Sequence, residues 1–67
     1  MVLYFENSYG KRREIGRPQS TKETYQLIDK FLKDYNYKSY YIRSWKNDEN
    51  ETYYDVGSWS EFFVMIE

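Results

Sequence analysis

Four pairs of adjacent aromatic residues, Tyr4-Phe5, Tyr40-Tyr41, Tyr53-Tyr54 and Phe62-Phe63, each lie in a short segment rich in β-formers. Successive residues of a strand point to opposite sides of a sheet, so each pair sends one ring up and one down. A chain so written must cover two sheet faces or leave large rings in contact with solvent. Only one stretch has helical spacing, Thr21 to Tyr35, where Tyr25, Leu27, Ile28, Phe31, Leu32 and Tyr35 form an apolar stripe. A helix of that length, roughly 22 Å long and ~10 Å wide, shields one face.

The remaining elements follow from turn chemistry. Val2 to Glu6 reads as a first strand, and Asn7-Ser8-Tyr9-Gly10 as a hairpin turn with Gly10 free to adopt a left-handed conformation. Lys11 to Arg17 is a second strand, so charged that it suits a sheet edge. Ser20 and Glu23 have capping-box spacing ahead of the helix, and Asn36 is a natural stop. Ser39 to Lys46 and Glu51 to Val56 form a second hairpin around the loop Asn47-Asp48-Glu49-Asn50. Gly57-Ser58 turns the chain into a fifth strand, Glu61 to Ile66; Ser58 and Glu61 also fit a capping box, so a short helix is the rival there. The expected fold is a single α+β domain over residues 1–67. Its order is ββαβββ, a small antiparallel sheet with one helix on one face. No internal repeat, linker or low-complexity segment interrupts it.

Alternation assigns Leu3, Phe5, Ile15, Tyr40, Ile42, Tyr54, Val56, Phe62, Val64 and Ile66 to the helix side. Tyr4, Tyr41, Arg43, Trp45, Tyr53, Asp55, Phe63 and Met65 are then left on a face that nothing covers. With nine Tyr, four Phe, two Trp and no Ala in 67 residues, the apolar surface is largely amphipathic ring. Tyr, Trp and Arg are the residue types that anchor interfaces, whereas the same rings can also simply stabilise cross-strand pairs. A chain this short buries only about 60% of its unfolded surface, so association with a partner or a second copy would add welcome stability.

Charge is unevenly distributed. Residues 1–46 hold all ten basic residues against five acidic, a balance of +5; residues 47–67 hold six acidic and no basic residue. Lys11, Arg12, Arg13, Arg17 and Arg43 are candidate phosphate contacts, with Tyr41 and Trp45 available to stack on bases. Three consecutive charges in a strand must alternate faces, which argues equally for a solvated edge. Asp48, Glu49, Glu51 and Asp55 beside exposed rings suggest instead an acidic surface that imitates a nucleic-acid strand in a basic channel, or an ordinary polar loop.

Several classes are excluded or disfavoured. Without Cys or His there is no disulfide, zinc site, thiol nucleophile or imidazole base. No spacing sets an activated nucleophile beside a base, so no catalytic residue, metal or cofactor is assigned. The apolar run after Met1 is too short for a signal peptide, and no stretch approaches a membrane span. The chain is therefore expected to be soluble and intracellular, and Asn50-Glu51-Thr52 to carry no glycan.

Ser8-Tyr9-Gly10-Lys11-Arg12-Arg13-Glu14-Ile15-Gly16, Tyr40-Tyr41-Ile42-Arg43-Ser44-Trp45, and Asp55-Val56-Gly57-Ser58 with Glu61-Phe62-Phe63 span most of the chain. In these segments it resembles small proteins encoded by phages and prophages of Gram-positive bacteria. The resemblance implies a bacterial cytoplasmic setting and a protein that binds and inhibits a host factor, for example a CRISPR nuclease. The leading expectation is thus a non-catalytic protein that binds a host protein through Tyr41, Arg43, Trp45 and Tyr53 with Asp48, Glu49, Glu51 and Asp55. A nucleic-acid binder using the basic residues, and a homodimer closed on the aromatic face, are the alternatives.

Overall fold

The structure is a computed structural model that describes residues 1–35, 42–47, 49–57 and 60–67. Its elements are β1 (Val2–Glu6), β2 (Arg12–Gly16), α1 (Thr21–Asp34), β3 (Arg43–Lys46), β4 (Glu51–Asp55) and β5 (Phe62–Ile66). The strands form one sheet in the order β2-β1-β5-β4-β3, with every neighbouring pair antiparallel. The α+β architecture and the ββαβββ order are those expected from the sequence, and the charged second strand does lie at an edge. The C-terminal segment is strand, not helix. Asn36, Ser39, Tyr40, Tyr41, Asp48 and Ser58 lie outside the described residues. β3 begins at Arg43, β2 is shorter than expected by one residue at each end, and β4 stops at Asp55.

Local chemistry explains the helix. The Ser20 hydroxyl accepts the Glu23 amide at 3.1 Å, satisfying one of the first-turn donors. Thr24, fully buried, reaches the Ser20 carbonyl at 3.0 Å and the Met65 sulfur at 3.5 Å. At the far end Tyr35 is the C-cap, its amide shared between the Phe31 and Leu32 carbonyls, both at 3.2 Å. Asp29 and Lys33 pair at 2.9 Å on the solvent side.

The stripe of α1 meets Leu3, Tyr54, Val56, Phe63 and Met65 through Ile28 and Leu32, with Phe5, Ile15, Leu27, Phe31 and Ile42 around them. Rings carry much of this contact: Phe5 and Phe31 lie 4.8 Å apart, Phe63 meets Phe31 edge-on at 5.3 Å, and Tyr25 meets Tyr54 edge-on at 5.7 Å.

One expected assignment is overturned. Phe63 and Met65 face the helix, and Phe62, Val64 and Ile66 face away. Directly opposed residues share a face, and Phe63 stands between Phe5 and Tyr54 while Met65 opposes Leu3. In the sequence the alternative phase offered three apolar residues against two. β5, however, is the central strand, apolar on both sides, and its own alternation carries no information about which side meets the helix.

A second expectation, that the helix-free face lies bare, is also corrected. Val64 sits on that face between Tyr4 and Tyr53, yet it is 0% exposed. The sheet bends enough for Arg12, on one edge strand, to reach Glu51 of β4 at 2.7 Å. Its guanidinium also meets Glu6 of β1 at 2.9 Å and the Tyr53 hydroxyl at 3.2 Å. In the register Glu6 opposes Phe62, Tyr53 opposes Val64 and Glu51 opposes Ile66, so the arginine fork spans the stretch of β5 in which Val64 lies.

Candidate interaction surface

Beyond the Arg12 fork, towards β3, the helix-free face carries three rings. Trp45 stacks on Tyr53 with centroids 5.8 Å apart and planes 14° from parallel. Phe62 approaches both edge-on, at 6.1 Å from Trp45 and 6.0 Å from Tyr53. The register explains the grouping: Trp45 opposes Tyr53 across β3–β4, and Phe62 opposes the next same-face residue, Asp55. Trp45 remains 46% exposed, while Tyr53 and Phe62 are half-buried. Trp45 and Tyr53 are thus brought together as anticipated; Phe62, placed with the core from its sequence, is the ring that completes the cluster. Its signal was the doublet itself, which guaranteed one phenyl group on this face without saying which.

The acidic residues are less available than their sequence run implied. Asp55 is only 7% exposed; it accepts from the Arg43 guanidinium at 2.7 Å and from the Gly57 amide at 2.9 Å. These two bonds, the arginine first, hold its carboxyl below the usual range. Glu51 is likewise held low, by Arg12 and then by the Asn47 side-chain amide at 3.0 Å. Glu67 meets Lys46 at 3.4 Å. Three of the six acidic residues of the C-terminal third, Glu51, Asp55 and Glu67, thus pair with basic residues of the remainder, so the two charged regions expected from the sequence meet across the sheet. Glu49 is exposed within the β3–β4 loop.

The basic residues disperse as alternation requires. Arg12 points to the helix-free face, where its two carboxylate partners raise its pKa further above its already high value. Arg13 points to the helix side, its guanidinium 5.6 Å from the Phe31 ring centroid and 3.4 Å from the Tyr35 hydroxyl. Arg17 pairs with Glu14 at 3.3 Å, Lys11 is exposed in the turn, and Arg43 lies across the sheet on β3. They do not converge on one stripe. Among the described residues no group of three His, Cys, Asp or Glu could hold a metal, and no helix is long and apolar enough to cross a membrane.

Fold and surface together define a small α+β domain with an aromatic cluster at one end of its helix-free sheet face. No protein-family model matches the chain, and neither curated proteins nor solved structures gave a match.

Proposed function

We propose that this chain is a non-catalytic interaction protein that binds a protein partner through Trp45, Tyr53 and Phe62, with Arg43 and Glu49 at the rim. The observation that carries this reading is the half-exposed indole, pre-stacked on Tyr53 and held edge-on by Phe62. A rigid amphipathic ring loses little entropy on binding and is the type of group that dominates interface energies. A ring already stacked also has its orientation determined before a partner arrives. The resemblance to phage-encoded proteins makes inhibition of a bacterial defence protein in the host cytoplasm the most concrete form of this function. The dispersal of Lys11, Arg12, Arg13, Arg17 and Arg43 favours a protein partner over nucleic acid, since these five cations form no row that could follow a phosphate backbone.

The test is affinity capture from nuclease-treated bacterial lysate, followed by titration of the captured protein against variants. Trp45→Ala is expected to weaken binding by about 2 kcal/mol. Tyr9→Ala, which removes an exposed ring from the β1–β2 turn, is expected to leave it unchanged. Equal affinity of folded Trp45→Ala and native protein would remove the proposal, as would capture that disappears with nuclease treatment.

A further inference from the structure

We infer that the outer edge of β3 docks an extended acidic segment of the partner, which adds to the sheet as a further strand and stacks a side chain on Trp45. This inference rests on the proposed interaction role and states what form the partner takes. The two edges of the sheet differ in their readiness for such pairing. At β2 the register with β1 shifts between Leu3 and Tyr4, and such an irregularity twists an edge away from straight pairing. Arg12 there is drawn inward to Glu6 and Glu51. β3 by contrast runs in unbroken register with β4 over Arg43–Asp55, Ser44–Tyr54, Trp45–Tyr53 and Lys46–Thr52, and all four of its residues are exposed.

Hydrogen-bond alternation identifies the groups that face outward. The Asn47 amide bonds the Glu51 carbonyl at 3.0 Å, so Trp45 and Arg43 are the next residues to bond inward to β4. Ser44 and Lys46 therefore turn their backbone N–H and C=O groups to the outer edge, where the described residues provide no further strand. The cross-strand row Tyr4, Val64, Tyr53, Trp45 stops at an indole whose far side looks to the same place. A strand added there would continue both the hydrogen-bond ladder and the row of stacked side chains.

Charge selects the occupant. β3 reads Arg-Ser-Trp-Lys, with no carboxylate, and the Arg43 and Lys46 side chains keep 69% and 52% exposure despite their contacts with Asp55 and Glu67. Among the described residues, the strand edges that a second copy offers are its own β2 and β3, and both carry a basic excess. Pairing through them would crowd like charges, whereas an acidic strand is complementary.

The probe is a capped peptide of about ten residues alternating Glu with Tyr and Val, compared with the same peptide carrying Lys for Glu. Hydrogen exchange read residue by residue is expected to show new protection at the Ser44 and Lys46 amides with the acidic peptide alone. Ser44→Pro removes an outward N–H without breaking an inward bond, which an edge strand tolerates. It is expected to weaken binding about tenfold while the β4–β5 amides stay protected. Lys46→Glu is expected to weaken the acidic peptide and strengthen the basic one. No protection at Ser44 and Lys46, or equal protection by both peptides, overturns the inference. Protection of the same amides without peptide, together with a concentration-dependent dimer in sedimentation, also overturns it by making a second copy the occupant. If the captured partner loses affinity with Trp45→Ala but not with Ser44→Pro, the interaction role stands and strand addition falls.

Discussion

The two hairpins of this protein are built on one turn and finished in opposite ways. In the first, the Asn7 side-chain oxygen accepts the Tyr9 and Lys11 amides at 2.9 and 3.0 Å, and the Asn7 amide bonds the Lys11 carbonyl at 2.9 Å. In the second, Asn47 makes the same bonds to Glu49 and Glu51, at 2.9, 3.0 and 3.0 Å. Each turn then needs one left-handed residue, Gly10 with φ 80° and Asn50 with φ 60°. The outer strands diverge from this shared start. β2 has a shifted register and sends its arginine over the sheet, whereas β3 stays regular and presents a tryptophan. A turn determines that two strands meet; the residues on the outer strand determine whether its edge is sealed or open.

The largest expected effect strikes what the hairpins share. Phe63 on β5 is fully buried between Phe5, Phe31 and Tyr54, joining both hairpins to the helix. Phe63→Ala should cost about 3–5 kcal/mol in denaturant unfolding, enough to threaten folding of a domain this small. A loss no greater than that of an exposed ring would show that the hairpins hold together by some other means.

Next comes the contact that the first hairpin makes through Arg12. Arg12→Met should lower the melting temperature at pH 7 more than Arg43→Met, because it removes the cation from two carboxylates, Glu6 and Glu51, rather than one. The acid dependence follows from the direction of the shifts. Glu51 and Asp55 titrate below the ordinary range in the folded protein, so each contributes stability that is complete above about pH 4 and fades as pH falls through the folded value. Glu51→Gln should therefore trail the native protein at pH 7 and converge with it in strong acid. Parallel melting curves across that range would contradict the Arg12 pairing.

The smaller effects separate the turns themselves. A Cβ at Gly10 would meet nothing within 4 Å, so Gly10→Ala reports backbone strain alone, about 1–2 kcal/mol of destabilisation. Asn50→Gly should move the other way, stabilising by about 0.5 kcal/mol, since Asn already tolerates this conformation better than most residues. If both substitutions shifted unfolding in the same direction, the two turns would not be equivalent.

Much of the fold was legible locally. Ser20, the helical stripe and the doublets Tyr4-Phe5 and Tyr53-Tyr54 each announce an element or a split between faces through the few residues around them. The matching turns were also present as Asn-x-x-Gly and Asn-x-x-Asn, although the different strands around them hid the likeness. The candidate site was legible only in part. Trp45 and Tyr53 follow from alternation within one hairpin, but Phe62 belongs to a strand whose partners lie at both ends of the chain. The Arg12 fork depends on a bend of the whole sheet, and no short window of residues encodes it.

The amino-acid sequence alone determined which segments are strands, where the helix starts, and that rings must occupy both faces of the sheet, because backbone geometry and capping act over a few residues. Tertiary structure decided which ring of Phe62-Phe63 faces the helix, where the acidic and basic portions pair, and that an arginine reaches across the face without a helix. Those outcomes depend on register and curvature, which are set by strands meeting across long stretches of chain.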